Sequence, residues 1–288
     1  MTSPRVSIVV PCWNAGQFIA GLLDCLAAQT FRDFETIVVD DGSSDPATLK
    51  VLATLPRGVT LVRQENRGLS GARNSGFRAA AGEFVLPLDC DDRLAPTFLA
   101  KAVAVLGDSP AVDFVFSHMQ LVGSRTGVLE RGFNRFDQLF LNQLPYCLLM
   151  RRQAWERVGG YDEAMRLGYE DWDFNVRLIA TGSIGALIPE PLFIYRVAEG
   201  GMLLSKSARR HGELWRQIRR KHPHAYRPAA LRVLHAAEGR GRIALPVAAA
   251  LLMLAPILPN WIFGRMFQTL LARRARRATG DGGAATGC

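Results

Sequence analysis

Cysteine is scarce in this 288-residue chain, and its five copies are scattered at positions 12, 25, 90, 147 and 288. No two of them have the Cys-x-x-Cys spacing of a zinc site, and an odd number does not suit a disulfide framework. A signal-peptide pattern is also absent after Met1, where the chain runs directly into a predicted strand. We therefore expect reduced thiols in a cytosolic setting rather than a disulfide-stapled secreted domain.

Positively charged residues are sparse up to residue 205 and concentrated after it. Residues 1–205 contain 19 Lys/Arg and 23 Asp/Glu, 206–242 contain 11 and 2, and 243–288 contain 5 and 1. Hydrophobic residues make up 49% of the chain, which is enough for one sizeable domain with additional elements. A basic segment of this kind can meet nucleic acid or anionic lipid, and the apolar segment that follows it favours lipid.

Long uncharged runs are rare too, and the one that matters is 243–264, with 22 residues. That length could just cross a bilayer of about 30 Å. Three prolines and Asn260 interrupt the run, and basic residues flank both of its ends. We favour an interfacial or re-entrant anchor, with a true span and a soluble packing or dimer helix as the alternatives. The last eleven residues, rich in Gly, Ala and Thr, are expected to be disordered.

Strand and helix patterns alternate through the first hundred residues. Apolar, β-branched runs predict strands over 6–10, 34–39, 59–63 and 84–88, and amphipathic patterns between them predict helices. Further strands are predicted over 113–119 and 146–151. This order indicates a parallel sheet with right-handed crossovers, in which ligands bind at the carboxyl ends of the strands.

Polar clusters follow all four of the first strands, and the most acidic one follows 84–88. It contains Asp89, Asp91 and Asp92, which repel one another and are costly to desolvate without a counter-cation. Oxygen ligands suit Mg²⁺ or Mn²⁺, and both ions bridge phosphates. A solvated acidic turn is the alternative for this cluster alone, but the convergence of four clusters on one sheet edge favours a site.

Five blocks of this sequence, in order, resemble glycosyltransferase family 2. The blocks are Val6–Asn14, Gln29–Glu35, Val38–Asp45, Asn66–Gly76 and Leu88–Asp92. The family consists of inverting nucleotide-sugar transferases with the GT-A fold, and the resemblance covers roughly residues 5–200. It implies a Rossmann-like three-layer α/β/α sandwich on a mixed sheet. We accordingly predict a GT-A catalytic domain over 1–205, a basic helical segment over 206–242, and an apolar membrane-associating segment with a basic tail over 243–288.

The resemblance also assigns roles in donor binding. Asp41 resembles the acid that accepts a hydrogen bond from the base imide, and Asp89 the acid near the ribose. Pro11 and Asn14 look like the floor of the base pocket. Arg73 resembles a basic residue that contacts the nucleotide, and its guanidinium suits base carbonyls or phosphate oxygens. A helix-surface arginine is the alternative for Arg73.

A divalent metal, Mg²⁺ or Mn²⁺, is implied at the acidic cluster. Asp91 is the expected ligand, with Asp92 as a second or supporting acid. Members of the family often have a histidine shortly after a Tyr-Arg strand end, but here Tyr195-Arg196 is followed by no histidine. Water, Glu199 or a closing loop is expected to fill that coordination position.

The acceptor side is expected around Gly168–Phe174, at the start of a helix. The resemblance implies that Asp171 removes the acceptor hydroxyl proton and that Glu170 orients it or the acceptor. Acids also favour the first turn of any helix because of its dipole, which is the alternative explanation. Since successive helical residues point about 100° apart, Asp171 and Asp173 cannot both enter one site. Trp172 is either an apolar platform for the acceptor sugar or a core residue.

These features together imply an inverting transfer of one sugar from a nucleoside diphosphate sugar, expected to be a UDP-sugar, to a hydroxyl. The Gln-x-x-Arg-Trp motif of processive synthases is missing, which favours a single addition. The acceptor is expected to be lipid-linked or a saccharide, in surface polysaccharide or glycolipid assembly at the cytoplasmic face of a membrane, without nucleic acid as a partner. One rival is a sugar-phosphate nucleotidyltransferase, although Pro11–Gly16 lacks the basic residue of its phosphate loop. The other is a catalytically silent nucleotide-sugar-binding or scaffold protein.

Overall fold

The structure of the protein, a computed structural model, describes residues 3–198, 210–239 and 241–267. The chain divides into two compact units. The first comprises Met1–Phe133 and Asn142–Gly201, and the second comprises Asn134–Leu141 and Met202–Cys288. No sequence pattern indicated that 134–141 groups with the C-terminal residues. The three segments expected from the sequence, 1–205, 206–242 and 243–288, stay predictions.

The first unit is built on a mixed β-sheet. Its described strands are β1 Val6–Cys12, β2 Phe34–Asp41, β3 Val59–Gln64, β4 Phe84–Pro87, β5 Arg93–Leu94, β6 Phe114–Gly123, β7 Gly127–Leu129, β8 Leu149–Arg151 and β9 Gly185–Val197. Their order in the sheet is β3-β2-β1-β4-β8-β6-β9-β5, with β7 paired to β6. Strands β1 to β4 are parallel, as the alternation of strand and helix predicts, whereas β8 runs antiparallel to both β4 and β6.

Helices connect these strands and form the second unit. The described helices are α1 Ile19–Ala27, α2 Pro46–Ala53, α3 Gly68–Ala79, α4 Phe98–Asp108, α5 Arg135–Gln138, α6 Arg152–Arg157, α7 Glu170–Ala180, α8 His211–Lys221, α9 Pro228–Glu238 and α10 Leu245–Leu254. Residues 260–267 are also helical. Asp45 caps α2 by accepting a hydrogen bond from the Thr48 amide, and Pro46 occupies the first helical position, as the sequence predicts.

Side chains of β1 alternate between two apolar cores, one on each face of the sheet. Ile8 and Val10 point into the core that contains residues of α1, α2 and α4. Val9 points into the opposite core with Phe77 of α3 and Phe174 of α7. Because both faces of the sheet are covered by helices, its central strands are buried on both sides. The predicted three-layer α/β fold is confirmed.

Gly76 allows α3 to lie close against the sheet. A Cβ atom at this position would overlap the side chain of Val9 and meet that of Val39. Arg73 lies one turn earlier on the same helix, so this close approach also brings its guanidinium to the carboxyl edge of the strands.

Two of the predicted strands differ from the structure by more than two residues at one end. The strand predicted over 113–119 begins at Phe114 and continues to Gly123, and this extension pairs with β7 as far as Leu121 and with β9 as far as Gly123. The strand predicted over 146–151 shrinks to Leu149–Arg151, because β4 pairs with β8 only at Phe84 and Val85. Tyr146 is therefore outside the sheet ladder and free to serve the site described below.

The second unit has an aromatic core. Trp215 of α8 stacks on Phe263 with ring centroids 5.5 Å apart and also contacts Phe140 and Tyr226. Its indole Nε1 donates to the Leu139 carbonyl at 2.9 Å, and the Tyr226 hydroxyl donates to the same oxygen at 2.8 Å. These buried polar atoms are thus satisfied, and they tie the short segment 134–141 to the C-terminal helices of its own unit.

The apolar run 243–264 contains α10 and the start of the helical residues 260–267, with Pro256 and Pro259 between them. Among the residues that the structure describes, no helix has both the length and the apolar character to cross a membrane. The predicted membrane association stays a prediction. The predicted disordered tail and Glu199 lie outside the described residues.

Candidate active site

The carboxyl ends of β1 and β2 are joined by Asn14. This residue has a left-handed backbone (φ 51°), which asparagine tolerates better than most side chains. Its amide oxygen accepts hydrogen bonds from the backbone N–H groups of Ser44 and Asp45, at 2.8 and 2.9 Å. Pro11 is buried within β1 and pairs with Val39. Asn14 therefore fixes the loop after β2, whereas Pro11 is part of the buried strand β1.

Asp41 organises the loop that leads from β3 into α3. One carboxylate oxygen accepts from the Gln64 amide at 2.6 Å and from the Arg67 backbone N–H at 2.8 Å. The other oxygen accepts from the Gly68 backbone N–H at 2.9 Å. Since a carboxylate has about four acceptor positions, one remains after these three contacts.

Arg73 lies at the centre of the site rather than on the helix surface. Its side chain is 1% exposed, and its two terminal nitrogens lie 2.9 Å from Asp89 Oδ1 and 3.1 Å from Glu170 Oε1. The guanidinium also lies over the ring of Tyr146, 4.7 Å from its centroid. Buried charge is tolerated only where it is paired, and here one cation holds two carboxylates from distant parts of the chain. The surface alternative left open for Arg73 is thereby excluded.

Asp92 is a buried support of the acidic cluster. The Tyr146 hydroxyl donates to Asp92 Oδ2 at 2.5 Å and accepts from the Asp89 backbone N–H at 3.0 Å. Asp92 Oδ1 accepts from the Arg196 backbone N–H at 2.7 Å. Burial, reinforced by the charge of Asp89, raises the pKa of Asp92 well above its ordinary value. Both oxygens of Asp92 are engaged, so the geometry favours the supporting role over direct metal ligation.

Asp91 has a different environment from Asp92. Its side chain is 31% exposed, and its nearest counter-charge is Arg196, whose Nη1 lies 3.6 Å from Asp91 Oδ2. Burial and then the charge of Asp89 raise the pKa of this carboxyl. An accessible carboxylate with weak charge compensation suits a hard cation, but the described residues contain no group of three or more candidate ligands placed around one point. Asp91 would therefore supply one carboxylate ligand to a Mg²⁺ or Mn²⁺ ion, and the remaining ligands would have to come from outside the protein.

The predicted acceptor side begins at the first turn of α7. Asp171 Oδ2 accepts from the Asn142 amide at 2.8 Å, and its Oδ1 accepts from the Trp172 backbone N–H at 2.8 Å. Glu170 faces Arg73, as described above. Asp173, by contrast, is fully buried and pairs with Arg177 at 3.1 Å. The three acids of this turn thus have three different environments.

The carboxyls of Glu170 and Asp171 are both harder to ionise than usual. Burial, with the neighbouring charge of Asp171, raises the pKa of Glu170 to about 7. Burial also raises the pKa of Asp171, while the hydrogen bond from Asn142 opposes that shift. Perturbed carboxyls near a charged cluster are typical of catalytic sites, although structural networks produce them as well.

Trp172 is 1% exposed and contacts Tyr169 with ring centroids 5.2 Å apart. An indole with so little exposed surface cannot present its face to a sugar in this conformation. Its burial favours the core alternative over the acceptor platform.

Several residues of the site were assigned no role from the sequence. Tyr146 and Asn142 fall in stretches without a recognisable motif, yet they hold Asp92 and Asp171. Asn74 hydrogen-bonds to both backbone groups of Tyr161, at 2.7 and 2.8 Å, and so attaches α3 to the loop before α7. Arg196, noted only because no histidine follows it, contacts both Asp91 and Asp92.

Sequence comparison gives consistent matches. The family model described as Glycosyl transferase family 2 matches residues 7–162, more than half of the chain. A PGL/p-HBAD biosynthesis glycosyltransferase of Mycobacterium bovis is 30% identical over 192 residues, covering 64% of this chain and 73% of that protein. An uncharacterized glycosyltransferase of Haemophilus influenzae is 29% identical over 203 residues, covering 65% of this chain and 66% of that protein. The chain thus matches just under two thirds of the length of the H. influenzae relative.

Solved structures match over most of the chain. The S. aureus TarS 1–349 structure in complex with UDP-GlcNAc has a TM-score of 0.65 at 20% identity, covering 95% of this chain and 92% of that one. The Pyrobaculum calidifontis mannosyltransferase PcManGT, in complex with GDP-Man and Mn²⁺, has a TM-score of 0.57 at 24% identity, covering 98% and 89%. At these identities the likeness establishes the fold alone.

Proposed function

Since the chain belongs to glycosyltransferase family 2 and has the GT-A fold, we propose that it transfers one sugar from a nucleoside diphosphate sugar to a hydroxyl acceptor, with inversion at the anomeric carbon. The observation that carries this proposal is the position of Arg73 between Asp89 and Glu170. One cation thereby joins the acids that follow β4 to the acids that begin α7. Donor and acceptor groups held at a fixed separation are what a direct displacement needs.

The nucleotide is proposed to bind along the ends of β1, β2 and β4. Asp41 has one acceptor position left, which suits the imide N–H of uracil, and a UDP-sugar is the proposed donor. Pro11 and Asn14 shape the floor of this pocket. Asp89, with 27% of its side chain exposed, is proposed to meet the ribose hydroxyls while Arg73 neutralises part of its charge. TarS, whose structure was solved with UDP-GlcNAc, is a neighbour in fold.

Asp91 is the proposed metal ligand, supported from behind by Asp92 and Tyr146. A bound Mg²⁺ or Mn²⁺ would offset the charge that collects on the departing nucleoside diphosphate. The chain's own contribution is to hold Asp91 accessible and to keep Asp92 fixed by two hydrogen bonds.

Asp171 is the proposed general base. The acceptor oxygen forms a bond to the anomeric carbon, the bond from that carbon to the diphosphate oxygen breaks, and its electron pair leaves with the nucleotide. The acceptor's proton passes to Asp171, whose raised pKa makes it a stronger base than an exposed carboxylate. Asn142 orients the carboxylate, and Glu170 is fixed beside it through Arg73.

We further propose that the acceptor is lipid-linked or a saccharide and that the protein acts at the cytoplasmic face of a membrane, in glycolipid or surface polysaccharide assembly. Two observations support this. The segment after residue 205 is strongly basic, and a relative is named for PGL/p-HBAD biosynthesis. A single addition is proposed because the motif of processive synthases is missing.

A panel of nucleotide sugars tests the proposal. Purified protein is incubated with UDP-, GDP- and dTDP-hexoses in the presence of Mn²⁺, with saccharide and lipid acceptors, and release of nucleoside diphosphate is measured. Turnover of one donor, with inverted anomeric configuration in the product, is the expected result. A protein that binds donors but never turns them over would be a silent binding protein, and release of pyrophosphate from a nucleoside triphosphate would indicate a nucleotidyltransferase.

A further inference from the structure

The second unit contains a cavity lined by three arginines. Its volume is about 360 Å³, roughly that of a dozen water molecules. The lining residues are Arg216, Arg219, Arg220, Pro223, Tyr226, Ala255 and Pro256. All of them belong to the second unit, whereas every candidate catalytic residue belongs to the first. None of the residues with a role in the proposed transfer reaction lines this cavity.

None of the three arginines has an ion-pair partner among the carboxylates that the structure describes in the second unit. The carboxylates of the described part of this unit are Asp137, Glu213 and Glu238. Asp137 accepts from the backbone N–H groups of Arg242 and Ile243, Glu213 pairs with Arg210, and Glu238 pairs with Arg135. None of them is left to neutralise the three arginines.

Arg216 is fixed in place but keeps an unused donor. Its Nη2 donates to the Leu258 carbonyl at 2.6 Å, and its guanidinium lies 4.7 Å from the centroid of the Phe263 ring. Its Nε is buried and has no hydrogen-bond partner among the described residues. Burial and the nearby charges of Arg220 and Arg219 lower the pKa of Arg216. Three like charges around one cavity, with a buried donor left over, form a site that an anion would complete.

The chain that lines the cavity also exposes large apolar side chains. Met253, Ile257 and Trp261 are 65%, 74% and 65% exposed. Ile257 directly follows Pro256, which lines the cavity. Exposed tryptophan and aliphatic side chains on a segment rich in basic residues are typical of chains that lie at the interface between water and lipid. A soluble anion would explain the three arginines of the cavity, but it would not explain why these three apolar side chains are exposed.

We propose that this cavity binds the phosphate group of an anionic lipid, with Met253, Ile257 and Trp261 entering the surrounding membrane. The inference deepens the proposed membrane association and rests on it. Guanidinium groups bind phosphate oxygens through paired N–H donors, and the apolar side chains contribute burial that salt does not screen. The site would place the protein where lipid-linked acceptors are found.

The test compares two variants that lose the same charge. Arg219 and Arg220 line the cavity and make no ion pair among the described residues, so R219Q/R220Q removes charge without removing a described contact. R227Q/R232Q removes two exposed arginines of the same unit that do not line the cavity. Binding to vesicles of phosphatidylcholine alone, or with phosphatidylglycerol or phosphatidic acid, is measured by flotation, and the fold of each variant is checked by thermal unfolding. Calorimetry with inorganic pyrophosphate is run in parallel.

The full-length protein is expected to bind the anionic vesicles and not pure phosphatidylcholine. R219Q/R220Q should lower this binding about tenfold, while R227Q/R232Q should stay within about twofold. Equal losses of vesicle binding in the two variants would mean that the protein is attracted to the membrane by its overall charge. The cavity would then not be a lipid site, although the membrane association would stand. If the protein bound pyrophosphate but no vesicles, the cavity would be a site for a soluble anion, and the proposal that it binds a lipid would be wrong. If the protein bound no vesicle at all, the membrane association itself would fail, and the transfer assay would still stand as a separate test.

Discussion

Arg73 Nη1 lies 3.1 Å from Glu170 Oε1, although the two residues are 97 positions apart in the chain. Nη2 of the same guanidinium lies 2.9 Å from Asp89 Oδ1. The planar, rigid fork of arginine therefore sets the separation between the end of β4 and the start of α7. A lysine, with a single ammonium group, could not hold both carboxylates in this geometry.

Replacing Arg73 should cost stability as well as function. Arg73→Ala leaves two carboxylates without their buried counter-charge, so the free energy of unfolding should fall by about 3 kcal/mol or more. Arg78→Ala is the matched control, because Arg78 is exposed on the same helix, and it should change stability by less than about 0.5 kcal/mol. Chemical denaturation followed by circular dichroism measures both. If the free energy of unfolding fell by similar amounts in Arg73→Ala and Arg78→Ala, the ion pairs of Arg73 would not stabilise the fold.

Stability should depend on pH through Glu170. Its pKa is raised from 4.5 to about 7, chiefly by burial, so the folded protein holds this proton more tightly than the unfolded chain does. The free energy of unfolding should therefore fall as the pH rises from about 4.5 to about 7, at up to about 1.4 kcal/mol per pH unit. Glu170→Gln has no carboxyl to lose this proton, so its free energy of unfolding should not show this fall. The variant should therefore become more stable relative to the wild type as the pH rises from about 4.5 to about 7. Glu65→Gln changes an exposed residue and is the control, so its free energy of unfolding should vary with pH as that of the wild type does. If the free energy of unfolding of Glu170→Gln also varied with pH as the wild type does, Glu170 would not be the group responsible.

Binding of the donor nucleotide should depend on a divalent metal through Asp91. Asp91 pairs only weakly with Arg196, so Asp91→Asn should leave the fold intact. It should nevertheless remove most of the gain in UDP or GDP affinity that Mn²⁺ provides, as measured by calorimetry with Mn²⁺ and with EDTA. Asp108→Asn, an exposed substitution at the end of α4, serves as the charge-matched control. An unchanged metal-dependent gain in Asp91→Asn would rule this residue out as the ligand.

Local sequence patterns predicted the first four strands of the sheet and the polar residues that follow each of them. The apolar runs at Val6–Val10 and Phe84–Leu88 predicted buried strands, and the acids after Leu88 predicted a site at the end of the second strand. Both predictions rest on strand burial and side-chain type, which are properties of neighbouring residues. The antiparallel insertion of β8 between β4 and β6 was not specified by any such pattern, since strand order depends on pairing between distant segments.

The contacts within the site could not be predicted in the same way. Tyr146 reaches Asp92 across 54 positions, and Asn142 reaches Asp171 across 29. A tyrosine or an asparagine in a loop has no periodicity that marks its partner. Burial was also ambiguous from sequence for Arg73 and Trp172, because a polar or amphipathic side chain on a helix can face either way until the neighbouring helices are placed.

The most direct test of the account is the contrast between Asp171→Asn and Asp173→Asn. Asp171 is held by Asn142 at the edge of the site, whereas Asp173 is buried against Arg177, so only the first should act in the chemistry. Asp171→Asn should lower turnover of the nucleotide sugar on the order of a hundredfold or more, with donor affinity within about twofold of the wild type. Asp173→Asn should lower stability but retain most of the turnover per folded molecule. Equal losses of turnover in the two variants, or full activity in Asp171→Asn, would contradict the assignment of Asp171 as the base and with it the proposed mechanism.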